Sequence, residues 1–395
     1  MDWSRPKRRG LAVGVVLAFS WMLGMAVFSA AASALTRDAI PADFCTFFSV
    51  GRAVNGGGSP YGMYPLAEVP GRAMLPNTNP PFALPLFTFL ASFSFAQARE
   101  MWYWMSLLVY GVTVSVLLVA YRTRLSPVRA IWPLAVAGVW WDLHQGHLYA
   151  SLALLTALAW ITLDRRQEIA SGAVIGLLVA YKPNLAVWPV LLFLAGRRRA
   201  ALAGVVSCVA ATAVSVLVFG PQVYEQWLRV LSDVTAAQPG APENNSLIGF
   251  TTRLGWPEIG YALSGVGLAG LALWAYRWRP DPMWISGAAI AASLLSAPVA
   301  WTGYVVLLMP VFVSRPWSWP MAVAAAALTL PNGIVMQLSE QSFLLHLLFS
   351  SWYAIPMILV IVASVGDFGP LALANMPANR NAEGQNTGRT AGGLA

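Results

Sequence analysis

Runs of apolar residues follow one another along most of the chain, parted by short polar segments rich in Gly, Pro, Asn or Arg. They lie near residues 11–34, 101–121, 130–143, 147–163, 168–181, 184–196, 200–219, 259–276, 283–297, 301–314, 317–331 and 343–366. Their continuity predicts membrane-crossing helices, each of which needs about 20 apolar residues. Several runs are shorter, so they are extended by their flanks, tilted inside a bundle or broken beside a cavity. The first run is too long for a signal-peptide core and no small-residue cleavage site follows it, so it counts as a span. The pattern predicts an all-α, polytopic integral membrane protein with about twelve spans.

Composition agrees. Of 395 residues, 58% are hydrophobic and only 10% charged, against about 25% charged in a soluble domain. The 18 tryptophans suit interfacial anchors. Cys45 and Cys208 have no C-x-x-C spacing, so neither a disulfide nor a zinc site is expected.

The formal charge of +8 comes from arginines between the runs, and no basic face is interleaved with aromatics, which argues against nucleic acid as a partner. Basic residues favour the cytoplasmic side. The Arg5–Arg9 cluster, Arg122–Arg124, Arg165–Arg166, Arg197–Arg199, Arg277–Arg279 and Arg315 alternate so that all fall inside, with both termini cytoplasmic. The segment from Pro80 to Ala96 is apolar enough to cross, but a crossing there would place Arg122–Arg129 outside. It is therefore predicted to lie in or dip into the outer leaflet, the alternative being that it crosses and 130–143 does not. Two polar loops then face outward, about 36–100 and 220–257. Residues 1–369 form one membrane-embedded domain, and 370–395 a disordered cytoplasmic tail. The setting expected is a bacterial-type plasma membrane, the bilayer itself being a partner.

Ionisable and polar groups near a bilayer are functional candidates by default. Asp43 stands in Pro41-Ala42-Asp43-Phe44-Cys45-Thr46-Phe47-Phe48, just after the first run, with Asp38 as its nearest rival acid. At the outer ends of later runs stand Trp141-Asp142-Leu143-His144-Gln145-Gly146-His147, Tyr181-Lys182-Pro183-Asn184 and Ser296–Tyr304. The second loop carries Pro239–Ser246 and Thr251-Thr252-Arg253. Each has a plainer reading: Asp43 favours a helix N-terminus, Lys182 reaches for the interface, and Arg253 pairs with Glu243 or Glu258. Asp142, His144 and His147 have a spacing compatible with a metal, though a hydrogen-bonded helix cap accounts for it as well.

The stretch Asp43–Tyr61, D-F-x-x-F-F-S-V-G-R-A-V-N-G-G-G-S-P-Y, resembles the opening signature of glycosyltransferase family 87, polyprenyl-phosphate-sugar-dependent membrane mannosyltransferases of the GT-C superfamily. Later signatures follow in order. Asn79-Pro80-Pro81 resembles an aromatic-Pro-Pro step, and Gly146-His147-Leu148-Tyr149 a Gly-Gln-x-Asn span start. Gly172–Pro183 is similar to a Gly-rich helix closing on Lys-Pro, Asn245-Ser246-Leu247 with Arg253 to Asn-x-Ser-Leu and its downstream Arg, and Ser296–Tyr304 to Ser-Pro-x-x-Trp-x-His. The departures are Asn79 for the aromatic, His147 for Gln, and Gly303 where His is expected.

The resemblance implies a GT-C-type fold with outer-face juxtamembrane helices. It also implies transfer of a hexose, mannose foremost, from a polyprenyl-phosphate donor to a glycolipid or envelope glycan by a single inverting displacement. Asp43 would be the general base, a role worth about 10²–10⁴-fold. Lys182, Arg253, His147 and Tyr304 would meet the donor phosphate. His144, Gln145, Asn245, Ser246, Trp301 and Tyr61 would bind sugar or acceptor. The donor arrives activated, no D-x-D pair follows the first span, and no P-loop is present, so neither cofactor nor metal is expected. The competing class is a transporter or flippase, whose broken helices give similar hydropathy; the chain shows no internal repeat to support it.

Overall fold

In a computed structural model, residues 41–66 and 75–366 are described. The predicted span 11–34, Asp38 and the tail 370–395 lie outside them. The described residues are helical, with one isolated antiparallel bridge, Asn244 to Trp301.

In chain order the helices are α1 (Ala42–Asn55), α2 (Leu84–Leu90, entered by a 3-10 turn at Pro81–Ala83), α3 (Phe95–Tyr121), α4 (Pro127–Ile131), α5 (Ala137–Gln145) and α6 (Tyr149–Asp164). There follow α7 (Glu168–Tyr181), α8 (Val187–Leu194), α9 (Arg198–Phe219), α10 (Gln222–Ala237), α11 (Leu247–Arg253) and α12 (Pro257–Trp278). The last are α13 (Pro282–Leu295), α14 (Met309–Ser314), α15 (Trp319–Ala327), α16 (Asn332–Ser339), α17 (Phe343–Phe349) and α18 (Ala354–Gly366).

Three helices, α3, α9 and α12, are long and apolar enough to cross a membrane, at 27, 22 and 22 residues. They match the predicted runs 101–121, 200–219 and 259–276. If each of two bent pairs, α15 with α16 at 81° and α17 with α18 at 47°, is one span, the number among the described residues rises to five. The other apolar runs among the described residues fold as shorter pieces. Residues 130–143, predicted as one span, are instead a 3-10 turn at Trp132–Ala135, an extended Val136 and α5. Pro133 is one cause, because it removes a backbone donor and disfavours helix before it. The Pro80–Ala96 run is likewise broken: α2 stops at Leu90, and α3 starts afresh behind a capping box between Ser94 and Gln97. Together with its 3-10 turn, that ten-residue helix reaches about 15 Å, half of a hydrocarbon core. On α9, Leu202, Val205, Val206, Val209, Leu217 and Val218 stand exposed, as a lipid-facing surface requires. The protein is a multi-pass, all-helical membrane protein.

The main core surrounds α6, α13 and the segment Thr302–Ser314. Trp132, Trp160 and Trp188 are fully buried within it rather than interfacial. Each indole N–H has a partner: Ala325 O at 2.9 Å, Ser314 Oγ at 3.0 Å and Ser286 Oγ at 2.8 Å. A satisfied N–H is what lets tryptophan serve as core. On α7, Gly172 and Gly176 lie four residues apart on one face. A Cβ at either would fall within 2.2 Å of a carbonyl oxygen of α9, so these glycines let the two backbones touch and fix the end of α7, where Lys182 follows.

A smaller aromatic core carries α1. Phe44, Phe47 and Phe48 fall on one helical face and pack against Phe87, Phe95 and Trp102, with Phe47 stacked on Phe87 at 4.5 Å. Burying that face turns the first turn of α1, with Asp43, toward the rest of the molecule.

Candidate functional site

A cavity of about 610 Å³ opens between α1, the α5–α6 break, the end of α7, α10 and the segment Ala297–Tyr304. Its titratable lining includes Asp43, His147, Lys182 and Glu243, together with Tyr149 and Tyr304. Helix α10 closes one side with Trp227, Leu231 and Val234. It is tied to the first loop by Trp227 Nε1 donating to Thr78 O at 3.0 Å and Ser59 Oγ donating to Gln226 Oε1 at 2.8 Å.

The Asp43 wall is built from the α5–α6 break. Gly146 ends α5 in the left-handed region at φ 71°, and a Cβ there would come within 2.7 Å of Phe44 Cβ. Only glycine lets α5 turn beneath α1 at this point. Asp142 is buried and accepts from Tyr149 N at 3.1 Å and Ala150 N at 3.0 Å, capping α6 across the break. The turn so fixed presents His147, whose Nε2 lies 3.2 Å from Asp43 Oδ2. His147 Nδ1 is buried without a partner, which fits a neutral ring donating from Nε2, since a buried, unpaired second N–H would be costly. Asp43 itself is 39% exposed, so its carboxylate opens to the cavity.

The Lys182 wall is a set of rings. Tyr149 stacks on His147 at 4.7 Å and leans on Tyr304 at 4.5 Å. Lys182 Nζ lies 5.4 Å from the Tyr304 ring centre and 5.9 Å from that of Tyr149, and donates to Asn79 Oδ1 at 3.2 Å. Such cation–ring contacts hold an ammonium without neutralising it. Two of the departures acquire reasons here. Asn79 supplies an oxygen to Lys182. A Cβ at Gly303 would sit 2.2 Å from the Tyr149 ring, so Tyr149 fills the space a side chain at 303 would need.

The second loop differs. Arg253 Nη1 donates to Ala241 O at 2.9 Å, and its Nη2 donates to Asn244 O and Ser350 O, both at 3.1 Å, and to Ser351 Oγ at 2.5 Å. Burial lowers its guanidinium to about 10. Asn245 donates to Glu243 O at 2.9 Å and accepts from Tyr353 N at 3.1 Å. Ser246 caps α11 by accepting from Gly249 N at 2.9 Å. Among the described residues, neither Glu243 nor Glu258 pairs with Arg253. Burial, with a smaller push from the Asp43 charge, raises the Glu243 carboxyl to about 7.

Asp43, His147, Lys182, Tyr304, Gln145 and Trp301 are thus brought to one cavity. Arg253, Asn245, Ser246, His144 and Tyr61 are not among its lining residues. For Arg253, Asn245 and Ser246 the reason is that their polar atoms hold carbonyls and a helix end. His144 stacks on Trp141 at 5.4 Å, and the buried Tyr61 hydroxyl donates to Asn79 O at 2.8 Å. His147 lines the cavity with its Nε2 facing the carboxylate of Asp43. Asp142, His144 and His147 do not converge, and among the described residues no group of three such side chains is placed to hold a metal ion. Sequence reasoning overlooked Glu243 as a site residue, along with Asn79, Tyr149 and Trp227. Glu243 had a visible signal as an acid in an outer loop, and Asn79 and Tyr149 stood inside quoted signatures; Trp227 had none.

A multi-pass helical membrane protein with a polar cavity that gathers a carboxylate, an ammonium and aromatic rings is thereby defined. The family model for glycosyltransferase family 87 matches residues 77–310, and the chain belongs to that family. No curated protein matches the sequence. Among solved structures, ArnT from Cupriavidus metallidurans bound to undecaprenyl phosphate is similar at 16% identity and a TM-score of 0.38, covering 90% of this chain and 77% of that one. The apo state of the same protein gives 17% and 0.36, with the same coverage.

Proposed function

We propose that this glycosyltransferase moves a hexose, mannose foremost, from a polyprenyl-phosphate donor to a glycolipid or envelope glycan, with the cavity facing the outer side of the membrane and both termini in the cytoplasm. Residues 1–369 act as one membrane-embedded unit. The observation that carries the reading is the joint presence of Asp43 and Lys182 in one cavity of a family 87 chain, each held by its own supports.

In the proposed step, an acceptor hydroxyl attacks the anomeric carbon from the face opposite the phosphate, and its proton passes to the Asp43 carboxylate. The bond from the anomeric carbon to the phosphate oxygen breaks, with inversion. Polyprenyl phosphate leaves with the electron pair, its growing charge facing the Lys182 ammonium. Neutral His147 donates to one Asp43 oxygen and leaves the other for the acceptor. Asp43 later releases its proton to water. Gln145, Trp301 and Tyr304 line the space left for the sugars.

The test is Asp43→Asn in the full chain, reconstituted in lipid with labelled polyprenyl-phosphate mannose and an envelope lipid extract. Transfer should fall about 10²–10⁴-fold, while the variant still inserts and binds the donor. Undiminished transfer by the variant would remove Asp43 from the mechanism.

A further inference from the structure

Glu243 has no part in the mechanism above, yet the surrounding loop is built around it. Arg253 holds the carbonyls of Ala241 and Asn244, on either side of it in sequence. Asn245 holds the carbonyl of Glu243 itself. Asn244 donates to Pro239 O and Pro298 O, each at 2.8 Å, and accepts from Ala300 N at 2.8 Å, pinning the loop to the segment opposite. The main chain is therefore held at Ala241, Glu243 and Asn244. Among the described residues no hydrogen bond or ion pair reaches the Glu243 carboxylate, which lines the cavity. A part-buried acid without donors is unfavourable, and a ligand that supplies donors relieves it.

We infer that Glu243 is a sugar-recognition residue whose carboxylate accepts hydrogen bonds from a pair of neighbouring sugar hydroxyls. Two carboxylate oxygens match two adjacent O–H donors, and such charge-assisted bonds are short and strong. The same charge repels phosphate. It places a lipid phosphate toward Lys182 and the hydroxyl-rich part of a substrate toward Glu243, so the cavity has polarity along its length. This rests on the transferase reading. Those hydroxyls belong either to the donor hexose or to the acceptor, and the chemistry is shared by both.

The experiment titrates the reconstituted full chain with three probes, reading binding as the change in total tryptophan fluorescence, to which Trp227 and Trp301 in the cavity wall contribute. They are polyprenyl phosphate, polyprenyl-phosphate mannose and octyl mannoside. Glu243→Gln, of nearly the same shape, and Glu243→Ala should each weaken a mannose-bearing probe about tenfold, the loss of one charge-assisted bond, and leave polyprenyl phosphate bound at least as tightly as in wild type. Weakening of the donor lipid assigns the hydroxyls to the donor, and weakening of octyl mannoside assigns them to the acceptor. Unchanged binding of all three probes, or equal loss of all three, overturns the role of Glu243. If the wild-type chain binds neither lipid, the transferase reading fails and this inference falls with it.

Discussion

Two polar segments border the cavity, and they use their polar atoms in opposite ways. In the α5–α6 break, Asp142 takes up the free N–H groups at the start of α6, and the turn it stabilises delivers His147 to Asp43. In the second loop, Arg253, Asn244, Asn245 and Ser246 all turn inward to carbonyls and helix ends, leaving one carboxylate uncommitted. A polar residue in a non-helical segment first has to satisfy backbone that no water reaches. What those bonds leave facing the cavity is an imidazole in one region and the Glu243 carboxylate in the other.

The largest contrast sets Lys182 against Arg253, two cations that sequence alone assigns to the same phosphate. Lys182→Met should lower transfer about 10²–10³-fold, the effect typical of losing a charge partner of the leaving group, with little change in thermal stability. Arg253→Leu should do the reverse. Losing hydrogen bonds from a charged donor to part-buried carbonyls costs about 2–3 kcal/mol, read as a lower unfolding temperature, while KM for the donor stays near wild type in the folded fraction. A stable Arg253→Leu protein with a strongly raised donor KM would return Arg253 to the phosphate.

How much of this was legible in the sequence divides along the same line. The long helices α3, α9 and α12 coincide with apolar runs, because continuous hydropathy is a property of the chain itself. Asp43, His147 and Lys182 were legible for a related reason: each flanks a local break, beside Pro41, Gly146 and Pro183. The commitments of Arg253, Asn245 and Tyr61 were hidden, since their acceptors at Ser350, Thr302 and Asn79 are remote in sequence. The same holds for Gly303. As a missing histidine it looks like a defect, and only the packing of Tyr149 against it shows why nothing larger fits. Among the described residues helix length by itself supports three to five of the twelve expected spans, because hydropathy does not distinguish an unbroken helix from the shorter pieces at Trp132–Gln145.

A smaller effect sharpens the Asp43 wall. His147→Ala should reduce kcat about tenfold with donor KM unchanged, since a carboxylate that loses its orienting donor drifts, and a misplacement of 1 Å costs up to about 10²-fold. His147→Gln, which keeps an N–H at similar reach, should recover most of the rate. A purely structural role would show in both variants as lost stability, and a phosphate-binding role as a raised donor KM in His147→Ala.

The smallest effect concerns the other wall and is read in stability against pH. Glu243 titrates near its ordinary 4.5 when unfolded and near 7 in the fold, so between these values the folded protein holds more proton than the unfolded one. Stability is then greatest below about pH 4.5, declines as pH rises toward 7 and levels off above it. Full shelter would give about 1.4 kcal/mol per pH unit; water in the cavity reduces the whole decline to about 1–2 kcal/mol. The groups around it are Asp43, Lys182 and His147 in the cavity and Tyr353 behind the loop. Glu243→Gln removes the titration, so the variant should gain on wild type in unfolding temperature at pH 8 and lose that advantage at pH 4.5. In an Asp43→Asn background the decline should be shallower, because one of its two causes has gone. An identical difference between Glu243→Gln and wild type at both pH values would mean that the carboxylate is solvated, and that the loop does not hold it against the cavity.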